Sequence, residues 1–144
     1  MVGIPGVVHA RGCRRLTLQE YWFEVNPENQ PLRIAVVGAC ASGKSSLVSA
    51  LRTAGYEARH VAQEHSYVPN MWQRISQPDV LIYLDVDHSG IRSRRPRLDF
   101  KPKDLEEQNR RLAHAREHCS LYLNTNILSP AEVQAQALAF LSDL

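Results

Sequence analysis

The sequence predicts an α/β protein, a three-layer doubly wound parallel sheet of four or five short strands with helices on both faces. Three observations predict it. Short apolar runs closed by glycine or proline alternate with segments whose apolar residues recur at helical spacing. A glycine-bearing loop stands directly between the first such run and the first such helix. The most apolar run, Asp79-Val80-Leu81-Ile82-Tyr83-Leu84-Asp85-Val86, is continuous rather than alternating, as expected of a strand buried on both faces.

Two regions follow from the breakers. An N-terminal extension covers 1–31, where Gly3, Pro5, Gly6 and Gly12 interrupt any early element and Pro27 and Pro31 close the segment. Within it, Leu16 to Val25 suits a helix, by the capping-box spacing of Thr17 and Glu20, and equally a strand, by the cluster Tyr21-Trp22-Phe23. That aromatic cluster is expected to pack on the main domain, because exposed it makes a costly apolar patch.

The main domain covers 32–144. Arg33-Ile34-Ala35-Val36-Val37 reads as the first strand, buried and ended by glycine. Lys44 to Thr53 is helical, with Leu47, Val48 and Leu51 on one side and Gly55 as the stop. Tyr56 to Ala62 is a second strand, Asn70 to Ser76 a short helix, and Pro78 resets the chain. The apolar run from Asp79 is the central strand. A helical piece over Ser89 to Arg95 stops at Pro96. Asp104 to Cys119 is a longer helix with a stripe through Leu105, Leu112, Ala115 and Cys119. Leu121-Tyr122-Leu123 is the last strand. Ser129-Pro130-Ala131-Glu132 opens the final helix with a cap, a proline at the first helical position and a capping-box acid.

Composition bounds the function. With 44% apolar and 22% charged residues among 144, the chain can bury a core without staples. A net charge of +2 makes no global field for nucleic acid or an acidic membrane. Cys13, Cys40 and Cys119 are an odd count without close pairing, which fits a reducing, cytoplasmic setting. No stretch approaches a transmembrane helix in length, so no membrane partner is expected. The first residues lack the apolar core of a secretory signal. Arg11, Arg14 and Arg15 without an acid before Glu20 fit a basic tail, with an organelle transit segment as the competing reading.

The loop Gly38-Ala39-Cys40-Ala41-Ser42-Gly43-Lys44-Ser45 fits G-x-x-x-x-G-K-[ST] without mismatch, after a strand and before a helix. In such a loop backbone N–H groups and the positive end of the following helix hold phosphate oxygens. The glycines let the backbone turn tightly. Lys44 places a cation between the outer phosphates, the Ser45 hydroxyl ligates Mg²⁺, and Ser46 continues the first turn beside them. A nucleoside triphosphate is therefore the expected ligand. Cys40 sits inside the loop, where a redox role competes with simple tolerance of a small residue.

Enzymes with parallel sheets carry their chemistry at the carboxyl ends of the strands. Glu64, in Gln63-Glu64-His65-Ser66 after the second strand, lies at that end. It can accept a proton from an acceptor hydroxyl or hold a Mg²⁺-bound water, against the alternative of a surface loop acid. Asp85 and Asp87 end the central strand and compete for the metal-side role. Asp79, at the opposite end, reads as a turn residue. Arg92, Arg94, Arg95, Arg97, Lys101 and Lys103 crowd one short segment, which reads as a basic lid over phosphates. Nucleic acid is not the expected partner of that segment, since no stacking aromatics accompany the charges.

On these residues the chain resembles the P-loop nucleoside and nucleotide kinases, thymidylate-kinase-like proteins above all, over Leu32 to Leu141. Leu32 to Leu47 resembles their first strand and phosphate loop, and Gln77 to Asp87 their strand before the lid. Arg94 and, more loosely, Arg97 fall where lid arginines stand. Glu64-His65-Ser66 is similar to a Glu-Arg-Ser segment whose acid is the base. Leu123-Asn124-Thr125 with Ser129 to Glu132 resembles the closing strand, the adenine-side loop and the last helix. The resemblance implies a P-loop NTPase fold, ATP and Mg²⁺ as cofactors, and transfer of the γ-phosphoryl group to a small molecule that these residues do not identify. A nucleotide-binding regulatory module or slow NTPase is the alternative. Two departures bear on it: His65 replaces the arginine after the acid, and the stretch from Gly55 to Asp79 is short where the group places its acceptor-binding helices.

His114 and His118, at i and i+4 with Cys119 beside them, have the spacing of a zinc pair, but no third and fourth ligand accompanies them. A polar helix face is the expected reading. His60 and His65 lie near the acceptor side. Trp22 and Trp72 read as packing residues.

Overall fold

Arg33–Gly38 forms strand β1, in which every residue after Arg33 is buried. Its side chains alternate between two cores, as the pleat requires: Ile34 and Val36 enter one, Ala35 and Val37 the other. The structure, a computed structural model, describes residues 17–19 and 31–144. The chain divides into two units, Met1–Pro31 and Leu32–Leu144. In the first, Leu18 and Gln19 carry helical backbone. The helix-or-strand alternative for Leu16 to Val25 otherwise falls outside the described residues, as does the packing of Tyr21, Trp22 and Phe23.

In the second unit β1 is followed by α1 (Lys44–Thr53), β2 (Glu57–His60), a 3-10 turn (Gln63–His65) and α2 (Met71–Ser76). Then come β3 (Val80–Asp85), α3 (His88–Arg94), α4 (Pro102–His118), β4 (Leu121–Asn124) and α5 (Pro130–Ser142). Four strands form one sheet in the order β2-β1-β3-β4, with every pairing parallel. The first face is covered by Leu47, Val48 and Leu51 of α1 and by Val133, Ala137 and Leu141 of α5. The second is covered by Trp72 of α2, Ile91 of α3, and Leu112 and Ala115 of α4. This is a three-layer α/β architecture.

Local chemistry sets the element ends. Gly55, at φ 95°, ends α1, and its N–H donates to the Arg52 carbonyl at 3.0 Å. At α5 the Ser129 hydroxyl accepts from Glu132 N and the Glu132 carboxylate accepts from Ser129 N, each at 3.1 Å. These bonds hold the Glu132 carboxyl below its ordinary range. α4 begins two residues before the expected start at Asp104, because Pro102 occupies its first turn and Asp104 accepts from Lys101 N at 2.8 Å. Asp79 does more than turn the chain. Its carboxylate accepts from Arg33 N and its own N–H donates to the Arg33 carbonyl, both at 2.8 Å, setting the register of β3 beside β1. Among the described residues no helix is long and apolar enough to cross a membrane.

The strand order reverses at β1. Its exit runs to α1 on one face, while the exit of β3 runs to α3 and α4 on the other, so a crevice opens at the carboxyl ends between them. Gly38 closes its floor. A Cβ there would meet the Leu84 carbonyl oxygen at 2.4 Å and Ser42 Oγ at 2.6 Å. Gly43 is needed for another reason, its φ of 94°, and a Cβ there would meet nothing. Gly38→Ala should therefore cost about 2 kcal/mol through overpacking. Gly43→Ala should cost about 1 kcal/mol through backbone strain alone. Urea denaturation of both variants checks this; equal losses would show that contact with Leu84 is not what requires Gly38.

Candidate functional site

The loop between β1 and α1 turns through two left-handed residues, Ala41 at φ 58° and Gly43 at φ 94°. Gly43 is the residue before α1 and has no side chain to cap it, so the first amides of the helix are left for another acceptor. Ser45 and Ser46 lie in that turn, and Ser46 is exposed. Gln108 of α4 supports the loop from beneath: its Oε1 accepts from Cys40 N at 3.0 Å and its Nε2 lies 3.1 Å from Cys40 Sγ.

Lys44 folds back over its own loop. Its ammonium donates to the Gly38 carbonyl at 2.8 Å, the Ala39 carbonyl at 3.0 Å and Glu64 Oε2 at 2.5 Å. Glu64 reaches it from the 3-10 turn, which buried Gln63 locks in place. Gln63 donates to the carbonyls of Val68 and Arg111 and accepts from Trp72 N at 2.8 Å. Arg111 in turn donates to the Glu64 carbonyl at 3.2 Å. Glu64 is 3% exposed, and its second oxygen, Oε1, is buried without a hydrogen-bond partner. Ser42 Oγ is in the same condition. A buried carboxylate oxygen left unpaired is costly, so a water, an ion or a ligand group belongs beside it.

Two cavities flank the loop. One, of about 460 Å³, is lined by Cys40 to Ser46 with His60, Glu64, His65, Arg94 and Arg95. The other, of about 270 Å³, lies between the loop and α5, lined by Thr125, Leu128, Pro130 and Val133 among others. Arg94 stands where the two meet. It donates to the Ala41 carbonyl at 2.7 Å, Thr125 Oγ1 at 3.0 Å and the Thr125 carbonyl at 2.7 Å. Thr125 donates its hydroxyl to the Asp85 carbonyl at 2.7 Å. A larger cavity, of about 870 Å³, runs along the outer edge of β2 past Arg33, Arg52, Arg59 and Arg74. It reaches the end of β2 at His60 but is lined by no residue of the loop, and its other walls are at the entering ends of β1 and β3, so its size does not make it the site.

The fold thus brings together Gly38 to Ser46, Glu64, Arg94 and Thr125. It does not bring Asp85 to them. The Asp85 carboxylate accepts from the Tyr122 hydroxyl and from Val86 N at 3.0 Å, and Arg116 stands 3.9 Å away. Asp87 caps α3, accepting from Gly90 N at 2.7 Å. Arg97 is exposed and lines neither cavity beside the loop, whereas Arg95 lines the larger of those two. The segment expected as a lid is anchored at its far end, where Phe100 stacks on His88 and its carbonyl lies 2.6 Å from His88 Nε2. His114 accepts from Trp72 Nε1 at 3.1 Å and stacks on His118 at 4.1 Å, as a polar helix face does. Sequence patterns place neither Gln108 nor Gln63 at the site. The stripe Leu105, Leu112, Ala115, Cys119 steps over position 108, and a glutamine on that buried side is the signal that marks it.

No protein-family model matches the chain, and no curated protein matches it, so its own geometry is the ground for assigning a function.

Two tests concern the site as a structure. Lys44→Met strands the Glu64 carboxylate among buried groups and should destabilise the fold by about 3 kcal/mol. Adding Glu64→Gln should recover most of the loss, whereas additive losses in a double-mutant denaturation cycle would show that the pair is not coupled. The second test concerns Asp85. Burial first, then the Asp85 carboxylate, pushes Tyr122 and Tyr83 up to about 12 from 10.0. Because the folded values are the raised ones, this stabilisation is complete below pH 10.0 and is lost as the pH rises toward about 12. Phenolate absorbance followed with circular dichroism should show a late step that Tyr122→Phe diminishes; a titration complete near pH 10.0 would contradict it.

Proposed function

We propose that the second unit is a P-loop nucleotide-binding domain that takes ATP with Mg²⁺ and transfers the γ-phosphoryl group to a small nucleoside- or nucleotide-like molecule. One observation carries this reading. A buried glutamate, 2.5 Å from the loop lysine, keeps a second oxygen unpaired at a cavity that the loop also lines. Loop sequence, strand–loop–helix order and a parallel sheet support the same conclusion, as does the resemblance to P-loop nucleoside and nucleotide kinases.

The residues fit the groups they would hold. Gly38 leaves no room for a side chain where the backbone curls, and the uncapped first turn of α1 offers amides to phosphate oxygens. Mg²⁺ supplies charge neutralisation across the outer phosphates when bound, and Ser45 and Glu64 are its protein ligands in this reading. Asp85 is committed to Tyr122 and Arg116. Lys44 exchanges its bonds to Gly38 and Ala39 for phosphate oxygens. Glu64 has one free oxygen, Oε1, which would either hold the ion or take the acceptor's hydroxyl proton. Arg94 holds the loop against Thr125 and presents its guanidinium at the junction of the two cavities. The smaller, apolar-walled cavity beside Thr125 and Leu128 suits a nucleobase, the larger one the acceptor. Arg95 takes the role expected of Arg97, since it lines the cavity.

A specific observation favours a second reading, a regulatory nucleotide-binding module or slow NTPase. Between β2 and β3 the chain supplies a 3-10 turn and the six-residue α2, a small wall for an acceptor site. Mg²⁺-ATP at a hundredfold excess over Kd should stabilise the fold by roughly 3 kcal/mol, seen as a thermal shift. Labelled ATP offered to a panel of nucleosides, nucleotides and small metabolites should then yield a phosphorylated product, about 100-fold slower in Glu64→Gln. Stabilisation without transfer selects the module; no stabilisation by ATP or GTP rejects both readings.

A further inference from the structure

Cys40, Glu64 and His65 form a group that the nucleotide chemistry does not use as such. A sulfur, a carboxylate oxygen and an imidazole nitrogen, one from each, lie within 4.8 Å of one another. They come from neighbouring strand exits, Cys40 after β1 and the other two after β2. Four features prepare them for a cation. Glu64 Oε1 is buried and unpaired, a lone-pair oxygen with nothing to bind. Its other oxygen is held by Lys44, which the Gly38 and Ala39 carbonyls hold in turn, so the orientation of the carboxylate is fixed. Cys40 Sγ has Gln108 Nε2 at 3.1 Å, a hydrogen-bond donor that orients the sulfur as an acceptor. Gln108 also fixes the backbone of Cys40, so the sulfur's position is set before any ion arrives.

We infer that Cys40, Glu64 and His65 bind a zinc-class divalent cation, with an open fourth position toward the cavity of about 460 Å³. The donor set decides the class. Thiolate and imidazole select zinc and its neighbours over Mg²⁺, which demands oxygen ligands. Three protein ligands with one open position match an ion that also holds water or a small anion. Coordination costs Cys40 its proton, which passes to solvent; thiolate and carboxylate bring two negative charges to the ion, and Lys44 leaves the occupied site one charge positive, which favours a small anion at the open position. Occupancy ties the loop after β1 to the turn after β2. The site shares Glu64 and its cavity with the nucleotide reading, so it is tested without nucleotide.

Co²⁺ is the probe, because a thiolate–cobalt bond gives a charge-transfer band and tetrahedral coordination intense visible bands. The full chain carrying Cys13→Ser and Cys119→Ser has Cys40 as its remaining thiol, so the band reports this site alone. One Co²⁺ per chain should bind with both sets of bands, and Zn²⁺ should displace it. His65→Ala, at an exposed position, should abolish the tetrahedral bands without affecting the fold, and Glu64→Gln should do the same to the bands. Gln108→Leu should weaken binding about tenfold by freeing the sulfur. Absence of a thiolate band, or bands unchanged in His65→Ala, overturns the proposal. Either result leaves ATP-dependent stabilisation in Mg²⁺ untouched, so the two proposals fail separately.

Discussion

Lys44 and Glu64 meet at 2.5 Å, and the elements around the crevice are arranged so that they can. The lysine opens α1 and the glutamate sits in a 3-10 turn after β2, with both side chains almost withdrawn from water. Two charges in that position are tolerable only together, because removing either leaves the other without compensation. The supports on each side exist for this reason. Gln63 and Arg111 hold the turn, Gln108 holds the loop, and Gly38 lets the loop lie against Leu84. α4 serves both partners, since Gln108 and Arg111 are neighbours on it. The longest helix of the domain therefore buttresses the site as well as filling the second core.

The pair is satisfied on one side and open on the other. Lys44 spends its hydrogen bonds on carbonyls of its own loop, while Glu64 keeps one oxygen unpaired. An anion arriving at the first turn of α1 competes for the lysine, and a cation arriving at the loop satisfies the glutamate. In the proposed function this arrangement takes phosphate with Mg²⁺, and in the further proposal, through Cys40 and His65, a softer ion. Which ligand is preferred is a matter of donor chemistry rather than shape: hydroxyl and carboxylate for Mg²⁺, thiolate and imidazole for zinc.

Arginine placement shows how tertiary contacts sort residues that composition treats alike. Six basic residues lie between Arg92 and Lys103, and as a run they read as one charged segment. Folding divides them. Arg94, at the end of α3, reaches across to Ala41 and Thr125 and becomes part of the crevice wall. Arg95 joins it in the cavity lining, and Arg97 lies beyond. Asp85 and Glu64 divide in the same way. Both are acids at carboxyl ends of strands, but the Asp85 carboxylate is claimed by the Tyr122 hydroxyl and Val86 N.

The sequence by itself determined the elements and the loop. Strand runs, the helix over Lys44–Thr53 and the cap at Ser129 are written in local patterns, because a strand's burial and a helix's capping depend on residues a few positions apart. The phosphate-loop motif is local for the same reason. What only the tertiary structure decided is which distant side chains meet. The pairing of Lys44 with Glu64, the support of Cys40 by Gln108 and the diversion of Asp85 to Tyr122 each join residues from different elements. Such contacts depend on strand order and on the rotation of α4 about its axis, and neither is encoded in any short stretch of chain.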